Sequence, residues 1–212
     1  PSMAEWREAL STLAAGSGAA APSGATAPER ILKQPPAPPT ELIGRDAQLE
    51  DALDRLRSGA RVVTLTGVGG TGKTRFAIEL FKRYESACAG GAAFVSLASV
   101  TAEDDVLPTI STALDIAEAH GRSALDALVT VLGERHVLLV FDNFEQVIEA
   151  AGQVAELVAR CPAIQVLVTS RRPLKIGAEV EFALPPLSLP EDSVAVDDLL
   201  ACPSVVLFVE RA

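Results

Sequence analysis

The stretch that most constrains this 212-residue chain is Gly67-Val68-Gly69-Gly70-Thr71-Gly72-Lys73-Thr74. It follows the apolar run Arg61–Thr66 and precedes a helical pattern, Arg75 to Tyr84. A GxxxxGK[ST] string thus stands in a strand–loop–helix setting, which is the context that gives it meaning. Gly67, Gly69, Gly70 and Gly72 free the backbone to turn its N–H groups inward around a phosphate. The positive end of the following helix adds to the attraction for an anion. Lys73 reaches the outer phosphates as a point charge, and the Thr74 hydroxyl suits Mg²⁺. With Thr71 and Arg75, these are the residues expected to hold the nucleotide. The implied ligand is a nucleoside phosphate; the alternative, a plain Gly-rich turn, is disfavoured by the flanks.

Apolar residues make up 49% of the chain and aromatics only 4%, so the core is built from Ala, Val, Leu and Ile. The net charge of −10 argues against nucleic-acid binding by this segment. No run has the length of a membrane-spanning helix and no secretory leader opens the sequence. Cys88, Cys161 and Cys202 are widely spaced, form no CxxC pair and make no metal pattern with His120 or His136. They read as reduced thiols of a cytoplasmic protein.

Residues 1–15 hold a short amphipathic helix pattern, and residues 16–40 are an Ala/Gly/Ser/Pro-rich linker ending in Pro35-Pro36-Ala37-Pro38-Pro39. The ordered domain, 41–212, is expected to begin at Glu41. A helix is expected over Asp46–Leu56. Strands are expected over Val62–Thr66, Ala92–Leu97, Val137–Asp142, Gln165–Thr169 and Val180–Leu184. Helices are expected over Lys73–Tyr84, Asp105–Ile116, Ala124–Glu134, Glu145–Ala159 and Ser204–Arg211. Apolar strands alternating with helices predict an α/β fold, a five-stranded parallel sheet covered on both faces. Ligands of such sheets sit at the carboxyl ends of the strands.

Three further positions carry chemistry. Val137–Phe141 ends in Asp142, and a carboxylate there suits Mg²⁺ beside a phosphate loop; capping the next helix is its other possible role. A water-activating glutamate is expected directly after such an aspartate, but Asn143 stands there and cannot be a base. Glu145 is the nearest carboxylate, either a substitute base or a surface residue of the first helical turn. Slow hydrolysis follows as the expectation. Arg171, after the strand Gln165–Thr169, is placed to contact a γ-phosphate; the alternative is an ordinary surface arginine, as Arg172 is read to be. Arg45 is either a surface charge or a nucleotide contact. GTP-binding proteins read guanine with Asn-Lys-x-Asp, and the chain's one asparagine, Asn143, is not followed by lysine, so ATP is favoured over GTP.

Leu42-Ile43-Gly44-Arg45-Asp46, GVGGTGKT, LLVFDNFEQV and VLVTSRRPL, in this order, resemble the signal-transduction ATPases with numerous domains (STAND), nearest the bacterial NB-ARC and transcription-regulator types. The resemblance implies a three-layer P-loop NTPase of ASCE type, with the Arg171 strand between the glycine-loop strand and the Asp142 strand. It implies that Gly44 and Arg45 help hold ATP or ADP, that Lys73, Thr74 and Asp142 bind phosphate and Mg²⁺, and that Arg171 senses the γ-phosphate. It also implies a regulatory switch acting on other domains of one larger chain, with nucleotide-dependent self-association and at most weak Mg²⁺-dependent ATPase activity. In that family helical and winged-helix modules follow the core, with a Gly-Leu-Pro-Leu-like element on the adenine; Pro185-Pro186-Leu187 comes too early to be it. An AAA-like motor using Glu145 as base and a nucleotide-insensitive scaffold are the alternatives. Pro1-Ser2-Met3-Ala4-Glu5-Trp6-Arg7-Glu8-Ala9-Leu10 is similar to the last helix of Ser/Thr protein kinase domains, and equally fits an ordinary amphipathic helix.

Overall fold

The computed structural model describes residues 30–38, 41–116, 121–190 and 202–211. The helix and kinase-like segment expected over residues 1–15, most of the 16–40 linker, and His120 lie outside the described residues. The strands are β1 (Ile31–Lys33), β2 (Val62–Thr66), β3 (Gly91–Ser96), β4 (Val137–Asp142), β5 (Gln165–Thr169) and β6 (Glu179–Ala183). The α-helices are α1 (Asp46–Arg57), α2 (Lys73–Tyr84), α3 (Val106–Ala113), α4 (Ala124–Leu132), α5 (Ala151–Arg160) and α6 (Pro203–Arg211). The strands form one sheet in the order β1-β3-β4-β5-β2-β6, every neighbouring pair parallel. The Arg171 strand, β5, lies between the glycine-loop strand and the Asp142 strand, as expected.

Period-two alternation divides the central strands between two apolar layers. Val137, Leu139 and Phe141 of β4, with Val166 and Val168 of β5, face a core completed by α3, α4 and α5. Leu138, Val140 and Leu167 face the opposite core, with Leu49, Leu53 and Leu56 of α1 and Phe76, Leu80 and Phe81 of α2. All of these side chains are at most 1% exposed. Their burial on both faces explains why the strands read as continuous apolar runs. No helix among the described residues is long and apolar enough to cross a membrane.

The sheet has six strands rather than the expected five. The extra one, β1, falls within the segment read as linker and pairs with β3 at the sheet edge, Ile31 opposite Gly91. Its Ile31 N–H donates to the Gly90 carbonyl at 2.9 Å. Lys33 forms an ion pair with Asp115, and the Arg30 guanidinium donates to the Glu85 carbonyl at 2.5 Å. Gly91 makes this approach possible. Its φ is +100°, and a Cβ there would stand 1.7 Å from the Ile31 carbonyl oxygen. A second difference concerns the helix expected over Glu145–Ala159. Residues Phe144–Ala150 instead form 3₁₀ turns interrupted at Val147 (φ −129°, ψ 40°), and α5 begins only at Ala151.

Candidate functional site at the carboxyl edge of the sheet

The loop between β2 and α2 owes its path to its glycines. Gly70 and Gly72 have φ of +83° and +88°, left-handed values that a side chain resists. At Gly67 a Cβ would come within 2.7 Å of the Leu184 carbonyl oxygen. Lys73, only 9% exposed, curls back over the loop and donates from Nζ to the carbonyls of Gly67 (2.8 Å) and Val68 (3.0 Å). The first side chains of α2 are therefore gathered under the loop.

Thr74, one residue on, donates its hydroxyl to both carboxylate oxygens of Asp142, at 2.9 and 3.1 Å. Asp142 ends β4 and is 4% exposed. Thr169, at the end of the adjacent β5, donates to Asp142 Oδ1 at 2.5 Å and accepts from the Asn143 backbone N–H at 3.0 Å. Among the described residues no ion pair reaches Asp142. A buried carboxylate held by two neutral hydroxyls is costly, and a divalent cation between Thr74 and Asp142 would relieve it. The donor set, one hydroxyl and one carboxylate beside a phosphate loop, suits Mg²⁺, which takes few protein oxygens. No cluster of three or more His, Cys, Asp or Glu residues competes for it among the described residues.

Asn143 takes a left-handed conformation (φ 64°, ψ 38°), as asparagine tolerates better than most residues. That turn carries Glu145 back toward the end of β5. There Arg171 Nε donates to Glu145 Oε1 at 3.3 Å. The Arg171 side chain is 68% exposed, whereas that of Glu145 is 20% exposed. Glu145 Oε2 is buried without a hydrogen-bond partner. The Arg171 guanidinium borders the glycine loop: a Cβ on Gly69 would lie 3.8 Å from Nη2. Arg172 turns away, 4.0 Å from Glu149.

Beside the loop lies a pocket of about 380 Å³. Its walls come from Glu41, Leu42, Ile43 and Arg45, from Val68–Gly72 and Arg75, from Pro186 and Leu187, and from Ser204 and Leu207 of α6. Its volume is in the range of small-molecule sites. Arg45 is 3% exposed and donates to the Pro185 carbonyl at 2.6 Å; burial lowers its pKa. Among the described residues no ion pair reaches it. Arg75 donates to the Glu41 carbonyl at 2.5 Å, tying α2 to the pocket's apolar wall.

Of the residues singled out from sequence, Arg45, Gly69, Gly70, Thr71, Gly72 and Arg75 line this pocket. Lys73, Thr74, Asp142, Glu145 and Arg171 form a polar group next to it, at the loop and the ends of β4 and β5. Gly44 and Gly67 are not in the lining. Gly44 (φ +65°) instead faces Pro203, whose Cβ would be 2.4 Å from a Cβ at residue 44. Gly67 serves the loop's shape and supplies a carbonyl to Lys73. Thr169, Ser204 and Leu207 were not singled out, and Pro186 and Leu187 were set aside as coming too early. Pro186 and Leu187 come early in the sequence yet reach the pocket, because β6 runs parallel beside β2 and delivers the chain to the same edge. Thr169, one hydroxyl at the end of an apolar strand, has no sequence signal of its own.

Comparison with known proteins bears out the fold. An uncharacterized protein of Mycobacterium tuberculosis is 35% identical over 174 residues, 82% of this chain and 41% of the relative. A protein of the same organism named as an HTH-type transcriptional regulator is 38% identical over 135 residues, 63% of this chain and 15% of the relative. The chain thus spans less than half the length of the curated relatives it matches. Among solved structures, Cdc6p of Pyrobaculum aerophilum shares the fold at TM-score 0.53 and 18% identity, over 70% of this chain and 48% of that one. A STAND protein with a tetratricopeptide repeat sensor from Pyrococcus horikoshii does so at TM-score 0.50 and 18% identity, over 72% and 24%. The family profile of the AAA ATPase domain matches residues 41–169, more than half of the sequence, and the chain belongs to that family.

Proposed function

We propose that this chain binds ATP and ADP with Mg²⁺ and serves as a nucleotide-controlled switch, with slow hydrolysis, in a larger transcription-regulatory protein. The observation that carries the reading is the contact of the Thr74 hydroxyl with the buried Asp142 carboxylate under a glycine loop. In this reading Lys73 exchanges its two loop carbonyls for phosphate oxygens, and backbone N–H groups of Gly69 to Lys73 cradle the phosphates. Thr74 and Asp142 would hold Mg²⁺, which would supply neutralising charge beside the phosphates. Leu42, Ile43, Pro186 and Leu207 offer an apolar slot for the base, and Arg45 adds a buried cation beside it. Arg171 meets the γ-phosphate, which distinguishes ATP from ADP and so biases one arrangement of the attached domains, with self-association as an output. Asn143 in place of a base keeps turnover slow. Other domains of the same chain are the expected partners. The relative named as an HTH-type regulator supports a transcriptional role, and the kinase-like residues Pro1–Leu10 make a Ser/Thr kinase the rival parent.

Calorimetric titration with ATP, ADP and GTP in Mg²⁺ tests the site. Lys73→Ala removes charge-assisted bonds worth about 1.5–3 kcal/mol, roughly 10–150-fold in affinity for adenine nucleotides. Unchanged affinity in Lys73→Ala refutes the assignment. The ion pair that holds Glu145 beside Arg171 and the loop also favours a second reading, a turnover ATPase with Glu145 as base. Steady-state hydrolysis at several per second that collapses in Glu145→Gln is its signature.

A further inference from the structure

Arg171 and Glu145 form an ion pair, and that pair has a consequence beyond sensing. We infer that Glu145 sets the preference of this site for ATP over ADP, because its carboxylate competes with the γ-phosphate for the Arg171 guanidinium. The inference rests on the nucleotide-binding reading above.

Three observations converge on it. Arg171 Nε donates to Glu145 Oε1 at 3.3 Å while the guanidinium also borders Gly69 of the glycine loop. The cation therefore has a carboxylate on one side and the phosphate loop on the other. Second, the two partners differ in freedom. The Arg171 side chain is 68% exposed and can swing, while that of Glu145 is 20% exposed and its Oε2 is buried without a partner. Glu145 cannot follow Arg171 into the loop, because its turn is pinned: the Asn143 N–H is bonded to Thr169, and Phe144 and Val147 are buried in the core. Third, a carboxylate and a phosphate present similar planar pairs of oxygens to a guanidinium. Capture of Arg171 by a γ-phosphate thus weakens the bond to Glu145 and leaves both of that residue's oxygens short of donors. ADP makes no such demand. The result is an internal competitor that lowers ATP affinity selectively and leaves ADP affinity alone.

Since a largely exposed partner limits the strength of such a pair, its release changes the ATP-to-ADP affinity ratio by about two- to five-fold. The test is a double-mutant cycle in the full chain, with dissociation constants for Mg·ATPγS and Mg·ADP measured by titration calorimetry for wild type, Glu145→Gln, Arg171→Ala and the double variant. Glu145→Gln is expected to tighten ATPγS about two- to five-fold with ADP unchanged. Arg171→Ala is expected to weaken ATPγS alone, and in that background Glu145→Gln is expected to change nothing. An unaltered ratio in Glu145→Gln overturns the competition. So does an equal effect of Glu145→Gln with and without Arg171, which points to simple charge repulsion between Glu145 and phosphate. Thermal unfolding of each variant identifies any that fail to fold, and Glu145→Ala then replaces Glu145→Gln. Loss of the nucleotide reading itself looks different: wild type and Lys73→Ala bind alike, and the cycle has no baseline.

Discussion

Replacing Thr169 by valine isolates what holds the Asp142 carboxylate in place. Thr169 is 1% exposed, and its hydroxyl makes two bonds: one donated to Asp142 Oδ1 at 2.5 Å, one accepted from the Asn143 N–H at 3.0 Å. Valine has nearly the same shape and neither bond. A hydrogen bond to a charged group contributes about 1.5–3 kcal/mol and a neutral one about 0.5–1.5. Thr169→Val is therefore expected to cost about 2–4 kcal/mol, since Asp142 keeps Thr74 while the part-buried Asn143 N–H loses its acceptor. For a domain of this size that lowers the thermal midpoint by about 5–15 °C. Thr169→Ser keeps the hydroxyl and gives up only a methyl, about 1 kcal/mol. Urea unfolding of the three proteins measures the difference directly. Thr169→Val also removes one of the two hydroxyls that donate to Asp142 Oδ1, so the Mg²⁺ dependence of ATP affinity is expected to change in Thr169→Val and to persist in Thr169→Ser. Thr169→Val within 1 kcal/mol of wild type, or Thr169→Ser as damaging as valine, would refute the clamp.

Two other expectations follow from the fold. Gly91→Ala places a Cβ against the Ile31 carbonyl oxygen at a φ of +100°, so β1 is expected to leave the sheet edge. Hydrogen exchange read by mass spectrometry then shows residues 31–33 deprotected with β4 and β5 unchanged; full protection at 31–33 contradicts the role given to Gly91. Burial pushes the Cys88 thiol from its ordinary 9.0 up to about 11. The folded protein therefore holds a proton that the unfolded chain gives up above about pH 9, so stability is intact below pH 9 and falls as pH rises toward 11. At about 1.4 kcal/mol per unit, the loss approaches 2–3 kcal/mol. Urea midpoints at pH 8 and 10.5 are expected to diverge less in Cys88→Ala than in wild type, with a remaining slope from Tyr84, whose pKa burial also raises.

Four of the five expected strands, β2 to β5, were readable because they are buried on both faces over nearly their whole length and so appear as apolar runs, whereas β6 alternates Val180 and Phe182 with half-buried or exposed neighbours. Phe141 and Val168 face one core, Leu138 and Leu167 the other, and none needs a partner to be recognised. The sixth strand, Ile31–Lys33, escaped because its pattern is three residues long and adjoins prolines. What makes it a strand is Gly91, sixty residues away, whose missing side chain leaves room for it. The candidate site divided along similar lines. Lys73, Thr74 and Asp142 are set by local spacing and were legible. That Glu145 would meet Arg171 was not, since the meeting depends on the left-handed turn at Asn143 and on 3₁₀ turns where a regular helix was expected. The pocket walls at Pro186, Leu187, Ser204 and Leu207 depend on the parallel placement of β6 and the docking of α6, which no local pattern encodes.

The pocket draws its walls from residues 41–43 and 45, from 68–72 and 75, from 186–187, and from 204 and 207. Arg45 meets Pro185 and Gly44 meets Pro203, contacts spanning most of the described sequence. Loop closure over such separations is slow relative to helix formation and short-range contacts. The pocket is accordingly expected to be among the last features to assemble during folding. On the proposed reading of the pocket as the seat of the base, nucleotide capture requires that β6 has already joined the sheet and α6 has docked, and a chain with only its glycine loop formed lacks those walls.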